Sequence, residues 1–195
     1  MAIRSLKTGQ FSRSTLVGNP VIMPGSYESI ATVSVGAGGA SSIDFTSIPS
    51  TYSHLQIRAI TKGSTSSRIY MRFNNVSTGT PYDYHALSGN GTSAGAIADI
   101  SENEIWLAVD GQSATADTFT GLVVDILDYS NTNKNKTTRS LGGHSIDSAS
   151  YWIVWYESGL WRNTAAINRI TLTPGAGTIS QYSHFALYGI KGGNS

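Results

Sequence analysis

Short stretches of alternating apolar and polar residues are the feature that most restricts the fold of this chain. In HLQIRAI (54–60), RIYMRFN (68–74) and GLVVDIL (121–127), apolar side chains recur at every second position. Successive side chains of a β-strand point to opposite faces, so each stretch has one face for a core and one for solvent or a partner. The shared apolar positions predict five buried residues: Ile57, Met71, Leu122, Val124 and Ile126.

Turn-forming sequences separate these stretches along the chain. GAGG (36–39), GNG (89–91), NTNKN (131–135) and PGAG (174–177) are all typical of turns. Helical periodicity is weak, and its best candidate is SAGAIADISENEIW (93–106). Many short strands joined by such turns predict an all-β chain, folded as an antiparallel β-sandwich of jelly-roll type. We predict strands near 28–35, 41–46, 53–61, 68–74, 82–87, 104–109, 119–128, 136–141, 150–157, 167–173 and 183–190.

The first 27 residues differ from the rest. They are polar and basic, with no acidic side chain, and Pro20 and Pro24 favour an extended path. We interpret 1–27 as an extended anchoring arm and 28–195 as a single β-sandwich domain. A flexible tail is the alternative interpretation. The residues assigned to the anchor are Arg4, Lys7, Phe11, Arg13 and Leu16.

Composition excludes several classes of function. Charged residues make up 13% of the chain and the net charge is +1, so no strong field favours nucleic acid or a membrane surface. The chain has no cysteine, which excludes disulfides and thiol chemistry. No stretch approaches the roughly 20 apolar residues of a membrane span. The start, MAIRSLKTGQF, lacks the apolar run of a signal peptide, so we expect assembly in a cytoplasm.

No pattern of catalytic, cofactor-binding or metal-binding residues stands out. The four histidines do not have the spacing of a metal site, and no nucleophile or phosphate-loop motif is present. Glu102 and Glu104 are the nearest approach to a paired-carboxylate site, and we interpret them as solvated residues at a strand start. We therefore predict no enzyme activity, no cofactor and no metal.

The stretch SYWIVWYESGLWRN (150–163) holds three of the four tryptophans. As a strand it places Tyr151, Ile153 and Trp155 on one face and Trp152, Val154 and Tyr156 on the other. One sheet core buries only one of these faces, so the other needs a ligand, a second subunit or a loop of the same chain folded over it. The residues assigned to subunit contact or ligand stacking are Trp152, Trp155, Tyr156 and Trp161.

Three arginines suggest a second contact surface. Arg58, Arg68 and Arg72 fall on the predicted polar faces of consecutive strands, where they would form a strip beside Tyr70. Such a strip could grip a carboxylate or a phosphate of a partner. An ordinary polar face is the alternative interpretation.

Both ends of the chain resemble a known group of proteins. SYESIATVSVGAGGASSIDFTSIPSTYSHLQIRAI (26–60) and ISQYSHFALYGIKGG (179–193) resemble small virion proteins of tailed bacteriophages. The opening RSLKTGQFSRSTLVGN (4–19) is similar to the start of such proteins. The likeness covers the two ends in order and leaves a variable middle. Proteins of this group are tail-fibre, tail and decoration components.

The resemblance implies a non-enzymatic, oligomeric part of a virion that assembles in the host cytoplasm. We expect a tail-fibre or fibre-like appendage subunit that self-associates as a homotrimer and docks on other virion proteins through residues 1–27. A capsid decoration (cement) protein is the alternative within this class. From another class, a carbohydrate-binding module would contact a host surface glycan through rings such as Trp152, Tyr156 and Trp161.

Overall fold

The computed structural model describes residues 26–111, 117–145 and 152–191. Within these ranges the chain forms two antiparallel sheets and no helix. The described residues therefore contain no helix that could cross a bilayer. In spatial order the larger sheet contains β1 (Tyr27–Ser34), β12 (His184–Ile190), β3 (His54–Thr61), β8 (Thr120–Leu127), β9 (Lys136–Ser145), β10 (Trp152–Trp161), β5 (Tyr82–Gly89) and β6 (Ala94–Glu102). The smaller sheet contains β2 (Ile43–Phe45), β11 (Ile170–Pro174), β4 (Ser67–Phe73) and β7 (Ile105–Gly111).

The predicted β-sandwich is confirmed. The inner faces of the two sheets share one hydrophobic core, and the alternation seen in the sequence determines which side chains enter it. All five residues predicted to be buried lie there, none more than 3% exposed: Ile57, Met71, Leu122, Val124 and Ile126. The jelly roll, the finer part of the prediction, stays a prediction.

Strand pairing in the sandwich is nested. The first strand pairs with the last, β2 with β11, β3 with β8 and β4 with β7. The remaining strands, β5, β6, β9 and β10, continue the larger sheet beyond β8. We call these four strands the extension. The β5–β6 pair is inserted in the chain between β4 and β7, and the β9–β10 pair between β8 and β11.

The helical candidate at 93–106 is wrong. Those residues form β6 and the start of β7, because the turn before them closes a hairpin. Asn90 Oδ1 accepts hydrogen bonds from the backbone N–H groups of Thr92 (3.1 Å) and Ser93 (2.8 Å). Gly91 supplies a positive φ of 85° at the tip, a conformation that glycine adopts without strain. The hairpin then pairs β6 with β5 along its length.

Aromatic rings join the extension to the smaller sheet. The ring centroid of Trp106 on β7 lies 4.6 Å from that of Trp155 on β10, in an edge-to-face arrangement. Trp161 lies 5.4 Å from Phe73 on β4. Each of these four rings is at most 9% exposed. Large rings contribute much of the apolar area of a core, so this cluster fixes the extension on the sandwich.

The inner face of β9 is polar although it is buried. Its inward side chains are those of Lys136, Thr138, Ser140 and His144, all at most 9% exposed. The Lys136 ammonium donates to the backbone carbonyls of Asn131 (2.6 Å), Lys134 (2.8 Å) and Thr164 (2.9 Å). Buried polar groups need partners of this kind to offset the loss of water.

Candidate functional site

Strand β10 divides the aromatic stretch between the two faces of the larger sheet. Trp155 and Trp161 point inward and are 9% and 0% exposed. Trp152, Val154 and Tyr156 point outward and are 56%, 53% and 46% exposed. The inward face is the one that meets β7 and β4, which periodicity alone does not determine.

Two of the four residues assigned to subunit contact or ligand stacking therefore need correction. Trp155 and Trp161 pack in the core, where no second chain and no ligand reaches their rings. Trp152 and Tyr156 remain available on the outer face. The indole of Trp152 lies over the β5–β6 turn, since a Cβ added to Gly91 would lie 3.5 Å from that ring.

The outer face of the larger sheet carries a continuous apolar surface. Val123 lies opposite Leu141, Leu141 opposite Tyr156, and Tyr156 opposite Leu87. Directly opposite side chains on one face of a sheet touch, so these residues form a row across four strands. We call the exposed hydrophobic residues of strands β3, β5, β9 and β10 the outer apolar face. Its members are Ile60, Leu87, Leu141, Trp152, Val154 and Tyr156, each 46–60% exposed.

A groove of about 780 Å³ runs along the neighbouring row of this face. Gly121 and Gly143 lie side by side at its floor, between Ile60 and Val154. The other lining side chains on the outer side include Arg58, Val123, Leu141, His184 and Tyr188. The groove is a depression because two neighbouring strands have no side chain at the same level.

The structure explains only one of the two glycines at the floor of the groove. A Cβ on Gly143 would lie 2.5 Å from the carbonyl oxygen of Ile153, so the approach of β10 requires a glycine there. A Cβ on Gly121 would meet no atom within 4 Å. Packing within the described chain therefore explains Gly143 and does not explain Gly121.

A polar row limits the apolar surface on one side. Gln56 Nε2 donates to Asp125 Oδ1 at 2.7 Å, and Arg139, Ser158 and His85 continue the row across β9, β10 and β5. The outer face thus changes from polar to apolar within one step along the strands. That sharp boundary is typical of a contact surface with a polar rim.

The predicted arginine strip is wrong. Arg58 lies on β3 of the larger sheet, whereas Arg68 and Arg72 lie on β4 of the smaller sheet, so they do not share a face. Each one has a partner within the chain. The Arg58 guanidinium lies 5.6 Å from the ring centroid of Tyr27, and that of Arg68 lies 4.2 Å from Trp106. Arg72 forms an ion pair with Glu104.

Burial strongly perturbs one carboxyl group. Glu157 points inward from β10 with no exposed surface, and burial raises its pKa to about 8, although a hydrogen bond from Ser140 Oγ (2.6 Å) acts in the opposite direction. A raised pKa suits a general acid, but a catalytic carboxyl must also reach a substrate. Glu157 is enclosed between the sheets, so we interpret it as a structural group.

The remaining predictions concern the arm and metals. Arg4, Lys7, Phe11, Arg13 and Leu16 lie outside the described residues. Among residues 26–111, 117–145 and 152–191, no three His, Asp or Glu side chains come together in a way that could hold a metal ion.

The groove is the feature that the sequence did not reveal. The only sign of the groove in the sequence is one glycine in each of two strands. These glycines become neighbours only when the two strands pair. Comparison with known proteins adds no assignment: no protein-family model, curated protein or solved structure matches this chain.

Proposed function

We propose that the protein is a non-enzymatic structural subunit of a tailed-phage particle, which self-associates through its outer apolar face. The observation that carries the proposal is the exposure of Trp152, Val154 and Tyr156 on one strand, beside Leu141 and Leu87. The phage-like segments 26–60 and 179–193 support the proposal that the protein belongs to a phage particle. A tail fibre or fibre-like appendage is the position we favour. Assembly in the host cytoplasm and a homotrimer belong to the same proposal.

Subunit contact suits this surface better than sugar stacking. Sites for small ligands place a few polar groups where they fix the ligand's orientation. Here Val154 separates the two exposed rings, and Leu141 and Leu87 flank Tyr156. Large rings with apolar neighbours and a polar rim are typical of the centre of a protein interface.

The test is the mass of the full chain in solution, with Trp152→Ala and Tyr156→Ala as variants. We expect a trimer for the unchanged chain and association weakened by at least about 2 kcal/mol if either ring is a hot spot. Tyr182→Ala is the matched control, since Tyr182 is an aromatic residue of 75% exposure in a turn. Unchanged mass in both variants would contradict this interface.

A glycan array on the same variants separates the two classes of function. Loss of glycan binding in Trp152→Ala, with mass unchanged, would replace the structural role by a carbohydrate-binding module. Imaging of labelled chain in the intact particle distinguishes a tail appendage from a capsid decoration protein. The same image shows whether residues 1–27 meet another virion protein, as the proposal expects.

We also propose that the sandwich is a jelly roll with two inserted hairpins. The nested pairing of β1 with β12, β2 with β11, β3 with β8 and β4 with β7 supports it. In this view the extension is an addition to an eight-strand framework. The exposed rings of the proposed interface then lie on the added strands.

A further inference from the structure

A glycine at position 121 lowers the stability of its strand, and no contact around it offsets that loss. It lies within β8, where glycine weakens a strand and a β-branched residue would strengthen it. Space for a side chain is open on the outer face. Glycine inside a strand often marks a place where another backbone approaches closely. The groove over Gly121 and Gly143 has the form that such an approach requires.

The described chain begins on this same face. Tyr27, the first residue of β1, places its ring 5.5 Å from the ring of Tyr188 and within 5.6 Å of the Arg58 guanidinium. Tyr188 and Arg58 both line the groove. The hydroxyl of Tyr27 also donates a hydrogen bond to Gln56. The chain that precedes Tyr27 therefore starts from the rim of the outer face.

The distance from Tyr27 to the groove is short for an extended segment. The floor lies about 20 Å along the strands and about 14 Å across them, from a rise of about 3.3 Å per residue and a strand spacing of about 4.8 Å. Because β1 runs from Tyr27 toward the level of the groove, the upstream chain must first turn back, for which PGS (24–26) is a turn-forming sequence. About eight extended residues before that turn then cover the path. The residues that far upstream are VGNPVIM (17–23), which carry apolar side chains and a proline that favours extension.

We propose that residues 17–23 lie in the groove of their own chain, across Gly121 and Gly143. The glycine floor lets an extended backbone come close to the sheet, while Ile60 and Val123 contact the apolar side chains of the segment. A tether of so few residues keeps the segment at a high effective concentration, which favours its own groove over a neighbour's. Residues 1–16 stay free for the anchoring role, and Trp152 and Tyr156 for the subunit contact. The proposal does not depend on the phage role.

Disulfide trapping tests the occupant directly, because the natural chain has no cysteine. Gly121→Cys is combined with a cysteine at one of four positions of the full chain: Val17, Asn19, Val21 or Met23. We expect at least one pair to form a disulfide within a single chain under mild oxidation. The control replaces Gly121→Cys by Thr173→Cys, on the smaller sheet. Disulfides that join two chains, or none above the control level, would overturn the proposal.

Gly121→Val provides a second test that does not need oxidation. A Cβ at position 121 meets no atom within 4 Å and valine suits a strand, so we expect the sandwich to stay folded with the groove partly filled. We expect backbone amides of 17–23 to exchange with deuterium at least about tenfold faster in this variant. Gly36→Val is the matched control, since Gly36 also has open space but lies outside the groove. Equal exchange in Gly121→Val and the unchanged chain would show that the segment does not occupy the groove.

Discussion

Strands β8 and β9 are neighbours in one sheet, and both face the core, yet their inner faces have opposite character. The inner face of β8 carries Thr120 at its start and then Leu122, Val124 and Ile126, whereas that of β9 carries Lys136, Thr138, Ser140 and His144. All of them are at most 9% exposed. Burial therefore does not decide residue type here. The change coincides with the start of the extension.

The two faces contribute to stability by different physics. Apolar burial on β8 is favourable wherever the side chains touch, at roughly 25 cal/mol per Å². Polar burial on β9 is close to neutral at best, and it depends on each group finding its partner. We expect β8 to supply free energy of folding and β9 to make the attachment of the extension sensitive to local geometry. Three substitutions on these strands test this difference, together with one at Glu157 of β10, which accepts a hydrogen bond from Ser140 on the inner face of β9.

The largest effect is expected for Lys136→Met. Methionine keeps most of the volume but removes the ammonium that binds three backbone carbonyls. We expect a loss of about 3–5 kcal/mol in the free energy of unfolding, because three hydrogen bonds from one buried ammonium are lost together. The measurement is urea denaturation at pH 7.

Lys134→Met is the control for that change. Lys134 belongs to the same loop, but its side chain is 54% exposed and its partner is the surface carboxylate of Asp128. Removing an exposed pair of this kind costs less than about 1 kcal/mol. Equal losses in the two variants would mean that the contacts of the buried Lys136 ammonium with three carbonyls contribute no more than an exposed ion pair.

Glu157→Gln should change how stability depends on pH. The pKa of Glu157 rises from an ordinary 4.5 to about 8 on folding, mainly through burial. The folded chain then holds a proton that the unfolded chain has lost, so stability falls as pH increases between those two values. Glutamine removes this dependence. We expect the variant to be about 2–4 kcal/mol more stable at pH 9, below the ceiling of about 5 kcal/mol for the full shift.

The check is a series of denaturation curves from pH 4 to pH 9 for both proteins. Their difference isolates Glu157, since every other titrating group is shared. At pH 4 the two should differ by less than about 1 kcal/mol, because the carboxyl and the amide are then both neutral. A difference that is constant with pH would contradict the raised pKa.

Val124→Ala measures the apolar face. Val124 has no exposed surface, so removal of its two methyl groups should cost about 1–3 kcal/mol. Val123→Ala is the control in the same strand, because Val123 points to the outer face and should cost less than about 1 kcal/mol. The reverse order would mean that the strand register is misassigned.

The sequence predicts the apolar half of this comparison well and the polar half poorly. Strict alternation identifies the inner residues of β8, and each is buried. On β9 the only large apolar residue is Leu141, which lies on the outer face at 52% exposure. A rule that places apolar residues inside therefore gives the wrong orientation for this strand. Its true orientation follows from pairing with β8 and β10, which is information from outside the strand.

The candidate site follows the same logic. Periodicity shows that one aromatic face of β10 must lie outside, but only contact with Trp106 decides that Trp155 is the inner one. The arginine strip fails because adjacent strands in sequence, β3 and β4, belong to different sheets. The groove depends on Gly121 meeting Gly143 across a strand pair. The local pattern of apolar residues shows which side chains of one strand share a face. A surface formed by several strands can be predicted only when the order of the strands in the sheet is known.

The smallest effect is expected for Thr138→Val, and its sign is opposite to that of the core truncation. Thr138 Oγ1 is buried and has no hydrogen-bond partner within the described residues. Valine replaces the hydroxyl by a methyl group of similar size, so the cost of burying that hydroxyl disappears. We expect a gain of about 1 kcal/mol. Thr137→Val, at the exposed neighbouring position, measures the change in strand preference alone, and its effect should be subtracted. If Thr138→Val is instead less stable after that correction, the polar inner face of β9 contributes free energy of its own, and the contrast with β8 is smaller than proposed.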